Sequence, residues 1–154
     1  MARGRQSGAR RRQRGVAAIE FAFVFPLFFL IFYAIVTFGM IFVIQQSLTF
    51  AASEGARAAL NYAAGNTPTA ELNARATSAN QTAVAMTSWL SNVAVVTPTA
   101  PTPCSYDTSQ YCVSVTVSYP YSTHPLVPPL PLMGMALPNT LSSTATVQIS
   151  PSML

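Results

Sequence analysis

Residues 21–44 form a run of 24 amino acids without a charged side chain, in which Phe, Ile, Leu and Val dominate. An α-helix rises about 1.5 Å per residue, so roughly 20 apolar residues cross a hydrocarbon core about 30 Å thick. The run is longer than the roughly 7–15 apolar residues of a removable secretory signal. It therefore predicts a membrane-spanning helix over residues 16–44, with the lipid bilayer as a partner. Pro26 lies inside the run and predicts a kink, because proline removes one helical hydrogen bond.

Charged residues are few and unevenly placed. They make up 8% of the chain, against about 25% in an ordinary globular protein, which favours a membrane protein or an assembly component. Six of the eight basic residues lie within the first 14 positions, namely Arg3, Arg5, Arg10, Arg11, Arg12 and Arg14. A basic segment before an apolar run keeps the N-terminus in the cytoplasm. Nucleic-acid binding is not expected, because it needs basic residues spread over a folded face.

These features divide the chain into three parts. Residues 1–15 are expected to be a basic cytoplasmic leader, residues 16–44 the transmembrane helix, and residues 45–154 a domain outside the cytoplasm. Good helix formers continue past the apolar run as far as Tyr62 or Ala64, where Gly65 and Asn66 are natural stops. One helix is therefore predicted to run from about Val16 through the membrane into the outside domain.

A second helix is predicted to begin at Thr67, an N-cap residue followed by proline, and to reach about Leu90. Glu71 and Arg75, four positions apart, are expected to form an ion pair on its flank. Apolar residues spaced alternately by four and three predict one core-facing stripe, formed by Leu72, Ala76, Ala79, Ala83, Met86 and Leu90.

Three segments predict strands: 92–97, 111–121 and 142–150. The middle one alternates most clearly, with Val113, Val115 and Val117 on one face and hydroxyl side chains on the other. The predicted fold class is α+β, in which a long N-terminal transmembrane helix extends into a small outside domain. That domain has one further helix and an antiparallel sheet of about three strands.

Cys104 and Cys112 flank a loop rich in polar residues. An even number of cysteines in a small exported region fits one disulfide, and the alternative is two separate thiols. The segment 120–139 contains six prolines, which exclude regular structure. It is nonetheless apolar, and it could fold back on its own domain, touch the membrane or meet another subunit. We prefer the first of these, in which the apolar residues of the segment pack on its own domain. These residues are Leu126, Val127, Leu130, Leu132, Met133, Met135 and Leu137.

Catalytic chemistry is not expected. The sequence has no supported Ser/His/Asp set, no phosphate-binding glycine loop and no pair of carboxylates in a plausible pocket. The single histidine, His124, and two cysteines without CxxC spacing offer no metal-ligand cluster. We therefore expect no enzyme activity, no cofactor and no metal.

An arginine-rich leader, Gly15, a short apolar stretch and then Glu20-Phe21 resemble a prepilin-peptidase processing site. Over about 45 residues, from "RGVAAIEF" to "EGARAA" (54–59), the chain resembles the TadE-like family of pilus-assembly proteins. Pro26 and Gly39 also carry this resemblance, and the C-terminal residues 113–150 resemble a weaker pattern of the same family.

The resemblance implies a minor pilin, or pseudopilin, of the tight-adherence (Tad) Flp pilus system. A prepilin peptidase would cut after Gly15 and leave Val16 as the new N-terminus. The protein would lie in the bacterial inner membrane with its C-terminal domain in the periplasm, and it could enter a surface pilus. The implied partners are the peptidase, other pilins and the inner-membrane assembly platform, and the implied roles are pilus biogenesis, surface adherence and biofilm formation.

Two other functions are considered: an uncleaved single-pass scaffold of a secretion or assembly complex, and a membrane-anchored adhesin. Glu20 helps to distinguish them, because a charge in a membrane helix costs up to about 3 kcal/mol at mid-bilayer and less near the edge. A mere anchor gains nothing from it. In a cleaved chain, Val16 and Glu20 are i and i+4 on one helix face, so Glu20 can neutralise the new amine of its own chain or of a neighbour.

Overall fold

The computed structural model describes the backbone of residues 9–130, 134 and 136–154, and the side chains of these ranges from Gly15 onward. Two compact units are present, Met1–Gly39 and Met40–Leu154. Helix α1 spans Ala9–Ala58 and contributes to both units. It begins before the predicted start at Val16, since the leader is rich in arginine, a good helix former.

Helix α1 also ends earlier than the predicted Tyr62 or Ala64. The amides of residues 59–61 bond carbonyls three residues back, at 3.2, 3.0 and 3.2 Å, which tightens the last turn. The Leu60 carbonyl then accepts from the Arg75 guanidinium at 3.2 Å. Helix α1 therefore ends before Gly65 and Asn66, the stops predicted from the sequence.

In the first unit, α1 carries exposed apolar side chains. Among the described residues it is the one helix long and apolar enough to cross a membrane, and its most apolar stretch is only 11% buried. The core helix of a soluble protein would bury most of this surface. Pro26 lies inside the helix, and the kink predicted there stays a prediction.

In the second unit, residues 40–58 of α1 pack with helix α2 (Pro68–Thr87) and a sheet. The Thr67 side chain caps α2 by accepting from the Ala70 amide at 3.2 Å, and proline occupies the first turn, as predicted. A 3-10 turn at Ser88–Leu90 follows. The helical conformation ends there, because Ser91 and Asn92 have positive φ angles of 55° and 58°.

The predicted stripe on α2 is confirmed except at one position. Leu72, Ala79, Ala83 and Leu90 are buried and Ala76 packs against the core, whereas Met86 is exposed. Thr87 takes the buried position beside Met86. A threonine is tolerated there because its hydroxyl donates to the Ala83 carbonyl at 3.1 Å.

The sheet has four strands, β1 (Val95–Pro98), β2 (Thr102–Pro103), β3 (Tyr111–Tyr119) and β4 (Leu141–Ile149). Strand β3 pairs with each of the other three strands, and all of these pairs are antiparallel. Val113, Val115 and Val117 are fully buried as predicted. On the opposite face, the hydroxyl groups of Ser114 and Thr146 are hydrogen-bonded at 2.7 Å, and those of Thr116 and Thr144 at 2.8 Å. The α+β class is confirmed, and the short strand β2 is an addition. Strand β1 begins later than the predicted residue 92, because Asn92 has a positive φ angle, and β3 ends at Tyr119 rather than at residue 121.

Gly55 allows α1 to approach α2 closely. A methyl group there would lie 2.9 Å from the Ala79 carbonyl oxygen and 3.0 Å from the Ala83 Cβ. At these distances, α1 and α2 would have to move apart to accommodate it. Ala51, Ala52 and Ala56 of α1, and Ala59 directly after it, are also buried at 2% exposure or less. These small residues are thus core residues of the Met40–Leu154 unit.

The Glu71–Arg75 pair was predicted on the flank of α2, but it is buried. Arg75 is 2% exposed and Glu71 is 7% exposed. The guanidinium donates to Glu71 Oε1 at 2.6 and 3.2 Å, to the Leu60 carbonyl and, at 2.8 Å, to the Met153 carbonyl. It therefore ties together α2, the end of α1 and the 3-10 turn at Pro151–Met153.

The proline-rich segment packs on its own domain only in part. Tyr121 is buried and Leu137 packs against the core, but Leu126 is exposed. The Tyr119 hydroxyl donates to the His124 carbonyl at 2.7 Å, and burial raises the pKa of this tyrosine. Leu132, Met133 and Met135 lie outside the described residues.

Candidate processing and assembly site

Gly15 lies inside α1 rather than at its start. A methyl group placed on it would meet no atom within 4 Å, and its φ angle is not positive. Neither packing nor backbone conformation among the described residues requires glycine here. At Gly55, by contrast, atoms of Ala79 and Ala83 lie within 3.0 Å of where a methyl group would be.

Val16 and Glu20 are one helical turn apart, so they share a face of α1. Both side chains are exposed. The two ion pairs among the described side chains are Arg57–Glu54 and Arg75–Glu71. Among the side chains that the structure describes, Glu20 therefore has no ion-pair partner.

Phe21 begins a ladder of aromatic rings that the sequence analysis missed. Its ring stacks on Phe25 at a centroid distance of 5.3 Å, Phe25 on Phe29 at 6.2 Å, and Phe29 packs on Tyr33 at 6.2 Å. Their regular spacing of four residues is the signal that could have revealed it. The aromatic residue after Glu20 therefore belongs to an apolar face of α1.

The leader arginines are placed only by their backbone. Arg10, Arg11, Arg12 and Arg14 lie in the first turns of α1, directly before Gly15. Their side chains, and the whole of Arg3 and Arg5, lie outside the described residues. The structure thus brings the basic segment, the glycine and Glu20 onto one continuous helix.

Cys104 and Cys112 form the predicted disulfide, with an S–S distance of 2.06 Å. The Cys104 amide donates to the Gln110 carbonyl at 2.9 Å. Inside the loop, the Asp107 carboxylate accepts from the Ser109 hydroxyl at 2.6 Å and the Ser109 amide at 3.0 Å, and these bonds lower the pKa of Asp107. The bridge belongs to the Met40–Leu154 unit.

Metal ligands do not converge in the part of the chain that the structure describes, where no three His, Cys, Asp or Glu side chains lie close enough to hold an ion. The chemistry available around Gly15 is instead that of a peptide bond, an exposed carboxylate and an apolar helix face.

Residues 15–57 match the family model described as TadE-like protein. The match begins at Gly15 and includes Glu20, Phe21, Pro26 and Gly39, so the predicted resemblance is confirmed for this segment. The similarity proposed for residues 113–150 lies outside the match and stays a prediction. Neither the curated proteins nor the solved structures contain a match to this chain. The family match indicates involvement in Tad pilus assembly and association with its components.

Proposed function

We propose that this chain is a minor pilin, or pseudopilin, of the Tad Flp pilus, and that a prepilin peptidase cuts it between Gly15 and Val16. The spacing of Gly15, Glu20 and Phe21 after a basic leader carries the proposal. The open space around Gly15 supports it, because a glycine that the fold does not need is free to serve an enzyme. In this role the chain is a substrate and an assembly component rather than an enzyme.

Cleavage within α1 requires local unwinding, since in a helix the Gly15 carbonyl is engaged in the hydrogen-bond ladder. Glycine lowers the stability of a helix interior by about 1 kcal/mol relative to alanine. Gly15 therefore makes the scissile bond easier to expose. The arginines before it hold the leader on the cytoplasmic side, and the C-terminal domain then lies in the periplasm.

After the cut, Val16 carries an α-ammonium group at a helix N-terminus. Its ordinary pKa is about 7.7–8.0, so it is mostly charged at neutral pH. A positive charge at this end opposes the helix dipole. The Glu20 carboxylate, four residues on, offsets the amine of its own chain or pairs with that of a neighbouring subunit.

The first test is the mass and N-terminal sequence of the protein from cells with and without the prepilin peptidase. We expect a mature N-terminus at Val16 only when the peptidase is present, and no processing of Gly15→Ala. Gly39→Ala is the matched control, because a methyl group at Gly39 also meets no atom within 4 Å. It should be processed normally. A mature chain that keeps its leader contradicts the pilin proposal and favours the uncleaved scaffold.

The second test separates processing from assembly. Glu20→Gln should insert and be cleaved, yet recover less of the pilus assembly machinery on affinity purification. Glu54→Gln is the control, since it removes a carboxylate of α1 whose described partner is Arg57 of its own chain. Equal recovery by both variants would contradict the charge-pairing role of Glu20.

A further inference from the structure

Four large apolar side chains lie exposed beside one another on the Met40–Leu154 unit. They are between 42% and 55% exposed, and they are Phe50, Met86, Trp89 and Leu126. Trp89 joins two shallow grooves, one lined by Phe50 and Met86 and the other by Leu126. We call these four residues the apolar rim.

The rim lies at the end of this unit where the apolar run of α1 finishes. The side-chain amide of Gln45, directly after that run, donates to the Ser142 carbonyl at 2.9 Å. Ser142 is at the start of β4, and Leu141 pairs there with Tyr119 at the end of β3. The proline-rich segment between these strands, including Leu126, therefore leaves the sheet at this same end.

The direction of α2, and the 3-10 turn that follows it, place Trp89 at this end as well. The Arg75 side chain, from the first half of α2, bonds the carbonyl of Leu60, beyond the last turn of α1. The following 3-10 turn instead brings Trp89 beside Gln46 and Phe50. The two helices thus run antiparallel, and the disulfide loop and the Met153 turn occupy the opposite end of the unit.

The distance between the end of the apolar run and the rim matches the thickness of the headgroup layer of a bilayer. Phe50 follows Ile44 by six residues, or about 9 Å along the helix. A helical side chain points back toward the N-terminus, which carries the Phe50 ring toward the end of the apolar run. A bilayer about 40–45 Å thick with a core of about 30 Å leaves roughly 5–8 Å of headgroup layer on each side.

The chemistry of the rim also fits that layer. Val43, about two turns before Phe50, is exposed in the same way, so the rim continues a face of the apolar run. Polar, uncharged Gln46 and Ser47 lie between them. Tryptophan is enriched at membrane–water interfaces, where its ring is buried and its N–H stays hydrated. Among the residues that the structure describes, no Asp, Glu, Lys or Arg lines either groove.

We propose that the apolar rim inserts into the headgroup layer of the bilayer that α1 crosses, and that it seats the Met40–Leu154 unit on the lipid surface. The proposal rests on α1 spanning the membrane, but it requires neither cleavage at Gly15 nor assembly into a pilus. It assigns a lipid contact to Leu126 in the proline-rich segment, while Tyr121 and Leu137 of the same segment pack on the protein.

Trp89 is the single tryptophan of the chain, so its fluorescence tests the proposal directly. The full chain is reconstituted in phosphatidylcholine vesicles that contain lipids brominated either near the headgroup or near the chain end. We expect blue-shifted emission, with stronger quenching by the shallow bromines than by the deep ones. In a Trp89→Phe background, Phe32→Trp serves as the deep reference. Tyr106→Trp, beside the disulfide, serves as the reference in water.

Each other outcome overturns the proposal. If aqueous acrylamide quenches Trp89 fluorescence and neither brominated lipid does, the rim lies in water. Blue-shifted emission that resists both kinds of quencher means that protein, such as a second copy of the chain, covers it. If the Phe32→Trp reference is itself unquenched by lipid, α1 does not span the membrane, and the proposed function fails as well.

Discussion

Arg75 is expected to be the most sensitive charged residue for the stability of the domain. Replacing it with alanine removes both bonds to Glu71 Oε1 and the donors to the Leu60 and Met153 carbonyls. The Glu71 carboxylate would then remain buried without its described partner. Removing one partner of a buried ion pair costs about 3–5 kcal/mol, a large fraction of the roughly 5–15 kcal/mol that stabilises a typical domain.

The assay is equilibrium unfolding of the full chain in detergent micelles by guanidinium chloride, followed by Trp89 fluorescence. Arg57→Ala is the matched control, because the Arg57–Glu54 pair of 3.2 Å lies on the surface with Arg57 74% exposed. Exposed pairs contribute about 0–1 kcal/mol. We therefore expect a clear fall in the unfolding midpoint for Arg75→Ala and almost none for Arg57→Ala.

A double variant separates the buried charge from the lost hydrogen bonds. Arg75→Met with Glu71→Leu leaves no charge at the site, and such replacements are often neutral or stabilising. Here the Leu60 and Met153 carbonyls lose their donor, so we expect recovery of part of the loss. Equal midpoints for Arg75→Ala and Arg57→Ala would refute the reasoning, because they would mean that the buried network contributes no more than a surface pair.

Three further predictions concern the same domain. Gly55→Ala should destabilise it by about 1–3 kcal/mol through overpacking against α2, whereas Gly39→Ala should not lower the unfolding midpoint. Reduction, or replacement of Cys104 by serine, should cost about 2–3 kcal/mol for a loop of this length, and near-normal stability of the reduced chain would contradict that estimate. Because the pKa of Asp107 is lowered in the folded state, its contribution is present above its ordinary pKa and lost as pH falls through the lower folded value. Unfolding midpoints of the wild type and Asp107→Asn should therefore converge in acid, and a difference that grows there would contradict the assignment.

The sequence predicted those elements whose signal is local. The alternation of Val113, Val115 and Val117 requires a half-buried strand whatever packs on it, and Thr67 with its following proline specifies a helix start. Both appear as predicted. Strand β2 was missed because its two residues carry no periodicity, and pairing with β3 alone defines it.

Long-range contacts explain what local patterns did not predict. The sequence placed Arg75 on a solvated flank, since a charged i,i+4 pair usually lies there. Its burial depends on carbonyls 15 and 78 positions away. Met86 fitted the spacing of the stripe but points toward Phe50 and Trp89. In both cases the arrangement of α1 and α2 decided which face of a helix became core.

The segment that matches the TadE-like family contains glycines of different structural standing. Gly55 is needed by the fold, because the α2 backbone lies 2.9 Å from where its Cβ would be. Gly15 is not, since its surroundings are open. A substitution at Gly55 should therefore lower stability whether or not any partner is present. A substitution of Gly15 by alanine should not lower the unfolding midpoint, and its harmful effect should appear only where a peptidase recognises the site. Measuring both quantities for both variants tests this separation, and a loss of stability in Gly15→Ala would show that the glycine serves the fold after all.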